Sequence, residues 1–327
     1  SLANRVKIRT WLVFSGLWVT VAYFPMAHMV WGGGLLSNSA DGVAAKIFGT
    51  VIEEGQKVAA IAPIDFAGGT VVHINAGVAG LVLALIIGKS ATFMKQPDRP
   101  HNMPLVMLGA ALLWFGWFGF NSGSAFSSGG LAGLAWINTT AATCAAMLGW
   151  IVVERIRDGR VTSLGAASGV VAGLVTITPA AADFTPLTSL IAGLIGGCLA
   201  AVGVGLKFRF KFDDSLDVVG LHLVAGTWGT IACGLFATHR GLLTGGGTDG
   251  LKLVAIQIVI ALAAALYCGV VTSSIGLALK VTMGWRISKS EEDMGIDSSH
   301  HGETAYHYEL DEDPDTKHSL LEDEPQR

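Results

Sequence analysis

Eight stretches of this chain, each about twenty residues or longer and nearly free of charge, constrain its fold more than any other feature. They cover approximately residues 10–30, 66–88, 103–123, 131–153, 164–182, 187–206, 217–238 and 251–284. A helix needs about 20 mainly apolar residues to cross a bilayer, and lipid admits only segments whose backbone hydrogen bonds close internally. The pattern predicts an all-α, polytopic transmembrane helix bundle. The last stretch exceeds one crossing and is expected to tilt or to project beyond the membrane. Composition agrees, since 14% of residues are charged where a soluble domain has about a quarter.

Lys and Arg collect on alternate connecting segments. Arg5, Lys7 and Arg9 precede the first span, and Lys89/Lys95/Arg99, Arg155/Arg157/Arg160 and Lys207/Arg209/Lys211 follow at every second loop. The loops between them hold only Lys46, Lys57 and Arg240. Because positive residues stay on the cytoplasmic side, both ends are expected there, in a multi-pass protein of the cell (plasma) membrane. The net charge of −4 conceals a division, because residues 287–327 carry 13 Asp/Glu against 3 Lys/Arg. The predicted organisation is a membrane domain, 1–286, and an acidic cytoplasmic tail, 287–327. No basic cluster exceeds three residues, so the footprint of a nucleic-acid partner is lacking. Cys144, Cys198, Cys233 and Cys268 lie inside apolar runs without metal or redox spacing and read as packing residues.

Ionisable side chains deep in a span are candidates for function. His73 and His222 stand in such positions, and both fit His-[Ile/Leu]-x-Ala-Gly-x-x-Gly. Each follows an aspartate near its helix start, Asp65 and Asp217, where a carboxylate suits the positive helix end. The loop charges make the two helices run in opposite directions, as an inverted repeat requires, with a site where its halves meet. The competing readings are two histidines that only join helices and a metal site. The second lacks a third ligand near either ring. No metal and no cofactor is expected, and no nucleophile–base pair marks an enzyme. A neutral imidazole has one donor and one acceptor, so two facing rings can bind each other and offer their free edges to a small solute or a proton.

Aromatic residues gather at two span ends on the predicted outer side. One run ends in Trp31-Gly-Gly-Gly, the other in Trp114-Phe-Gly-Trp117-Phe-Gly-Phe120-Asn-Ser-Gly-Ser124. Such rings anchor helices at the interface. With a hydroxyl beside them they also hold a compact cation through its attraction to the ring face. A cation site above a buried His pair fits an amine that is bound charged and carried onward neutral.

These strings resemble the ammonium transporter family, the group of Amt proteins, methylammonium permeases and Rh proteins. The match includes Pro25-Met-Ala-His-Met-Val-Trp31-Gly-Gly-Gly, Asp65-Phe-Ala-Gly-Gly-Thr-Val-Val-His73-Ile-Asn-Ala, Gly116-Trp-Phe-Gly-Phe120-Asn-x-Gly-Ser124-Ala, Asp217-x-x-Gly-x-His222 and Asp297-x-x-x-His301-Gly302-Glu303. It extends over nearly residues 1–306. The resemblance implies that Trp31 and Ser124 recruit ammonium or methylammonium, that Phe120 is one ring of a stacked gate, and that Trp117, His73 and His222 line the pore. Asp65 would shape the vestibule without touching the ion, and Asp297, His301, Gly302 and Glu303 would form a regulatory tail motif. It further implies a homotrimer in the lipid bilayer and a PII-type regulator at the cytoplasmic face. Members usually have eleven spans, so a chain with eight is expected to lack the first three helices and not to work alone. The loop from Leu35 to Ile64 is long for its position. The expected function is recruitment of ammonium, removal of its proton and passage of ammonia, with a proton relay through the His pair left open. A passive ammonia channel and an ammonium-sensing receptor are the alternatives.

Overall fold

The computed structural model describes residues 1–95 and 100–306. Arg99 and the tail beyond Tyr306 lie outside the described residues. The chain divides into two compact units, Ser1–Arg286 and a second that begins at Ile287.

The first unit is a polytopic transmembrane helix bundle. Its eight apolar helices are α1 (Ile8–Trp31), α3 (Gly69–Ile87), α4 (Met103–Gly123), α5 (Gly130–Asp158), α6 (Ser163–Ala180), α7 (Pro186–Phe210), α8 (Val219–Phe236) and α9 (Gly247–Thr282). A short helix, α2 (Val43–Phe48), follows α1. The bounds depart from the apolar runs by a few residues, mostly where polar caps extend or close a helix. Asn102 and Thr162 cap α4 and α6 through their side-chain oxygens. Thr185 and Thr188 form a reciprocal box at the start of α7, where Pro186 supplies a first-turn residue that needs no amide partner. Helix α9 starts at Gly247, within the glycine-rich stretch 245–250. Its 36 residues span about 54 Å, more than the bilayer requires.

Helix α1 shows how sequence sets a local irregularity. Pro25 offers no N–H and its ring crowds the carbonyl four residues earlier, that of Val21. The helix widens into a π-turn over Val19–Tyr23, and the Tyr267 hydroxyl of α9 donates to the Val21 carbonyl at 2.5 Å. Elsewhere small residues permit close crossings. A methyl group at Gly193 or Gly197 of α7 would collide with the backbone of Ala142 or Ala146 of α5, which is how helices pack where lipid removes the hydrophobic drive. Helix α4 buries none of its most apolar stretch, and Leu105, Leu108, Leu112 and Phe115 stand exposed. That is a surface for lipid or for another apolar neighbour.

The segment between α1 and α3 departs from the all-α expectation. After α2 it forms a hairpin, β1 (Thr50–Glu53) against β2 (Gln56–Ala59), antiparallel with Thr50 opposite Ala59. Glu54 and Gly55 both have positive φ at the turn, as a two-residue hairpin loop requires. The Arg240 guanidinium donates to the Ala62 carbonyl at 2.8 Å and so ties the end of this segment to the α8–α9 loop.

In the second unit, Ser288 and Glu291 close a capping box on α10 (Lys289–Met294). Asp297–His301 form a single π-turn. Gly302, at φ +66°, ends it, and the Glu303 amide donates to the Asp297 carbonyl at 3.1 Å. Four residues of the expected tail motif therefore form one turn. The Ser288 hydroxyl and amide hold the Glu291 carboxyl below its ordinary range, with His300 adding to the effect. A depressed value means that this support is complete above the ordinary glutamate pKa and is lost as pH falls through the lower, folded value. Amide exchange at Ser288 and Glu291, corrected for intrinsic rate, should therefore rise below about pH 4.

Candidate functional site

Two matching helix starts build the centre of the first unit. Residues Gly69–Ile74 of α3 and Val219–Val224 of α8 are both π-helical before each helix tightens to α. His73 and His222 sit in these turns. A π-turn places side chains out of α register, a feature common at functional sites.

Each turn is held by a carboxylate eight residues before its histidine. Asp65 accepts the amides of Gly68 at 2.9 Å, Gly69 at 2.5 Å and Thr70 at 2.9 Å, and the Thr70 hydroxyl as well. Burial pushes this carboxyl up from its ordinary value while the hydrogen bonds of Thr70, Gly69 and Gly68 pull it back. All its contacts are donors, so its whole capacity serves the helix start and none is left for a solute.

In the second repeat the matching residue is Asp214, whose Oδ2 accepts the Val219 amide at 2.7 Å. This corrects the expectation for Asp217, which instead pairs with Lys207 at 2.8 Å and has φ +59°. Asp217 is nearer the helix in sequence, but the left-handed turn there carries its carboxylate sideways. The signal that finds Asp214 is the equal spacing, Asp65 to His73 and Asp214 to His222.

The two helices cross at their motif glycines. Gly77 and Gly226 each lie one turn after a histidine. A methyl at Gly77 would strike the Leu223 backbone, and one at Gly226 would lie 2.8 Å from the His73 Cβ. The close approach sets His73 Nδ1 and His222 Nδ1 3.2 Å apart, with ring centroids at 5.3 Å. One of the two nitrogens must carry hydrogen and the other must lack it, so at least one ring is neutral. His73 is 1% exposed, and its Nε2 has no hydrogen-bond partner among the described residues.

Trp117 stacks on His73 at 5.4 Å and 17°, and Phe120 meets the edge of Trp117 at 5.5 Å and 72°. The Trp117 indole donates to the Thr178 hydroxyl at 3.0 Å, which itself donates to the Leu174 carbonyl at 2.8 Å. His73, His222, Trp117 and Phe120 thus form one cluster. Phe120 has no parallel-stacked ring among the described residues. Trp31 is joined to the cluster through Asp65, since its indole donates to the Asp65 carbonyl at 2.7 Å. The residue is 46% exposed, and a cavity of about 120 Å³ lies beside it, lined by Ser37, Asn38, Ile64 and Asp65 among others. Ser124 lies just past the end of α4, its hydroxyl donating to the Phe120 carbonyl at 2.9 Å. No hydrogen bond joins it to Trp31.

This arrangement can be set against known proteins. The family model described as Ammonium Transporter Family matches residues 1–306. The chain belongs to the ammonium transporter family. The ammonium transporter of Mycobacterium tuberculosis is 47% identical over 320 residues, covering 94% of this chain and 64% of that protein. That of Bacillus subtilis is 44% identical over 312 residues, covering 94% and 71%. Among solved structures of the family, Mep2 of Candida albicans superposes with a TM-score of 0.73 at 32% identity over 87% of this chain and 61% of its own. A sensor Amt protein superposes with a TM-score of 0.78 at 28% identity, covering 91% and 71%. The chain thus spans less than two thirds of the mycobacterial relative's length. Members of this family are membrane transporters and channels, and the chain is a multi-pass membrane protein.

Proposed function

We propose that this chain belongs to a protein that carries ammonium across the cell membrane, recruiting the cation at an aromatic mouth and passing it onward as ammonia between His73 and His222. The observation that carries this reading is the Nδ1–Nδ1 contact, between buried His73 and half-buried His222, at the glycine crossing of two matching helices. A hydrated ion finds no adequate shell there. The nearby carboxylates are already engaged, Asp65 by backbone amides and Asp214 by the Val219 amide and the Ser1 hydroxyl. Ammonia needs only one acceptor and one donor, and the free imidazole edges supply both.

The exposed face of Trp31 supports recruitment, since a partly desolvated ring attracts a compact cation. Ser124 would add its oxygen, and Phe120 with Trp117 would screen the His pair from water. Ammonium leaves its proton at the mouth, and ammonia takes up a proton again on the far side. Family membership supports methylammonium as an alternative substrate, a homotrimer as the assembly and a PII-type regulator acting on the Asp297–Glu303 turn. Domain 1–286 then does the transport, and both chain ends face the cytoplasm.

The test is ammonium-evoked current and internal pH change in liposomes carrying the protein. A saturable response abolished in His222→Leu is expected, and an equal response in the variant would reject the pathway. Trp31→Leu should raise the half-saturating methylammonium concentration by about ten-fold, from the loss of roughly 1–2 kcal/mol of cation–ring attraction. An unchanged concentration dependence would leave Trp31 as an interface anchor only.

A further inference from the structure

Helix α9 carries one fully buried amide side chain, Gln257, in the middle of an apolar run. Its Oε1 accepts the Ile64 amide at 2.9 Å, and its Nε2 donates to the Ile64 carbonyl at 2.8 Å and to the Thr230 carbonyl at 2.8 Å. A side chain that grips both the N–H and the C=O of one residue acts as a strand partner and admits a single register. Desolvated polar groups are costly unless paired, so such an amide is retained in an apolar helix only with its partners in place.

The gripped residue immediately precedes Asp65, whose carbonyl holds the Trp31 indole and whose carboxylate holds the His73 turn. Thr230 lies in α8, eight residues beyond His222. We propose that Gln257 is a positioning residue for the site: it sets Asp65, and with it Trp31 and His73, against the helix that carries His222. This deepens the transport reading and rests on it.

A second observation supports the assignment. The other repeat has the same device, because Asp213 immediately precedes the capping Asp214, and its carbonyl accepts from buried Arg5 at 2.5 Å. Both repeats therefore clamp the residue before the capping aspartate with a buried side chain from an outlying segment. The clamps differ in charge. The Arg5 guanidinium is balanced by the Asp213 carboxylate at 3.6 Å, whereas the clamp beside the Trp31 face is neutral and brings no charge to a mouth that must admit a cation.

Two measurements in lipid, on the protein to which this chain belongs, test this. In Gln257→Leu, amide exchange at Ile64 and at Gly68–Thr70 should accelerate by about ten-fold or more, while amides at the α5–α7 crossing keep their rates. Gln257→Glu, which as the neutral acid retains the acceptor for Ile64 and one of the two donors, should fall between. For methylammonium uptake, Gln257→Leu should raise the half-saturating concentration by about ten-fold with less than about a two-fold change in maximal rate. On an Asp65→Asn background it should add nothing, because both changes act on one element. Unaltered exchange at 64–70 in both variants overturns the clamp. Accelerated exchange with unchanged half-saturation, or full additivity with Asp65→Asn, overturns the positioning role. Absence of uptake by the unsubstituted protein counts against the transport reading, and the exchange arm still decides the clamp.

Discussion

Replacing His73 by Leu should reduce ammonium-driven transport by about a hundred-fold or more, the scale on which a positioned proton donor or acceptor acts. The same change at His101, in the segment before α4, should leave transport within about two-fold, since surface substitutions away from a site are close to neutral. The difference follows from surroundings. His73 is buried at the glycine crossing, stacked on Trp117 and joined to His222, whereas His101 is exposed. Leucine fills a similar volume, so the helix crossing should survive and the loss should report the imidazole itself. Radiolabelled methylammonium uptake, normalised to folded protein, measures it. Equal losses in the two variants would show that the histidine pair holds helices together and nothing more.

The second large effect belongs to Asp65. Asp65→Ala should prevent formation of the His73 turn, because the amides of Gly68, Gly69 and Thr70 and the Thr70 hydroxyl lose their acceptor in a buried setting. An unsatisfied buried donor costs about 1–3 kcal/mol, and several together exceed about 4 kcal/mol, a large part of any domain's stability. The yield of detergent-stable protein and its thermal aggregation temperature should both fall sharply. Asp217→Ala should cost far less, because its pairing with Lys207 is partly exposed. A stable Asp65→Ala protein would mean that water replaces the carboxylate, and the role assigned to the cap would then be wrong.

Much of this was legible in the residues, for identifiable reasons. Hydrophobic length is a coarse signal that lipid enforces strictly, so the eight spans lay within a few residues of the apolar runs. The His pair was legible because two motifs repeat the same glycine one turn beyond each ring. What stayed hidden depended on chain direction at turns. Asp217 looked like the partner of Asp65 by proximity, and only the left-handed turn at that residue shows that Asp214 faces the helix. The hairpin at 50–59 carries no clear alternation of apolar and polar residues, and so it read as a loop. Gln257 was visible as the lone amide of an apolar helix. Its role depends on Ile64, 193 residues away, and no local pattern announces such a pairing.

If His73 and His222 share one hydrogen bond and jointly meet the transported amine, their ring nitrogens must be coupled. Nitrogen-15 magnetic resonance of the histidine-labelled chain in lipid tests it directly. A scalar coupling between the two Nδ1 nuclei is expected, with side-chain shifts of both rings that move together and saturate as methylammonium is added. In Trp31→Leu the same movement should need a higher concentration. Two uncoupled rings, or shifts indifferent to methylammonium while the protein still transports it, would contradict the account.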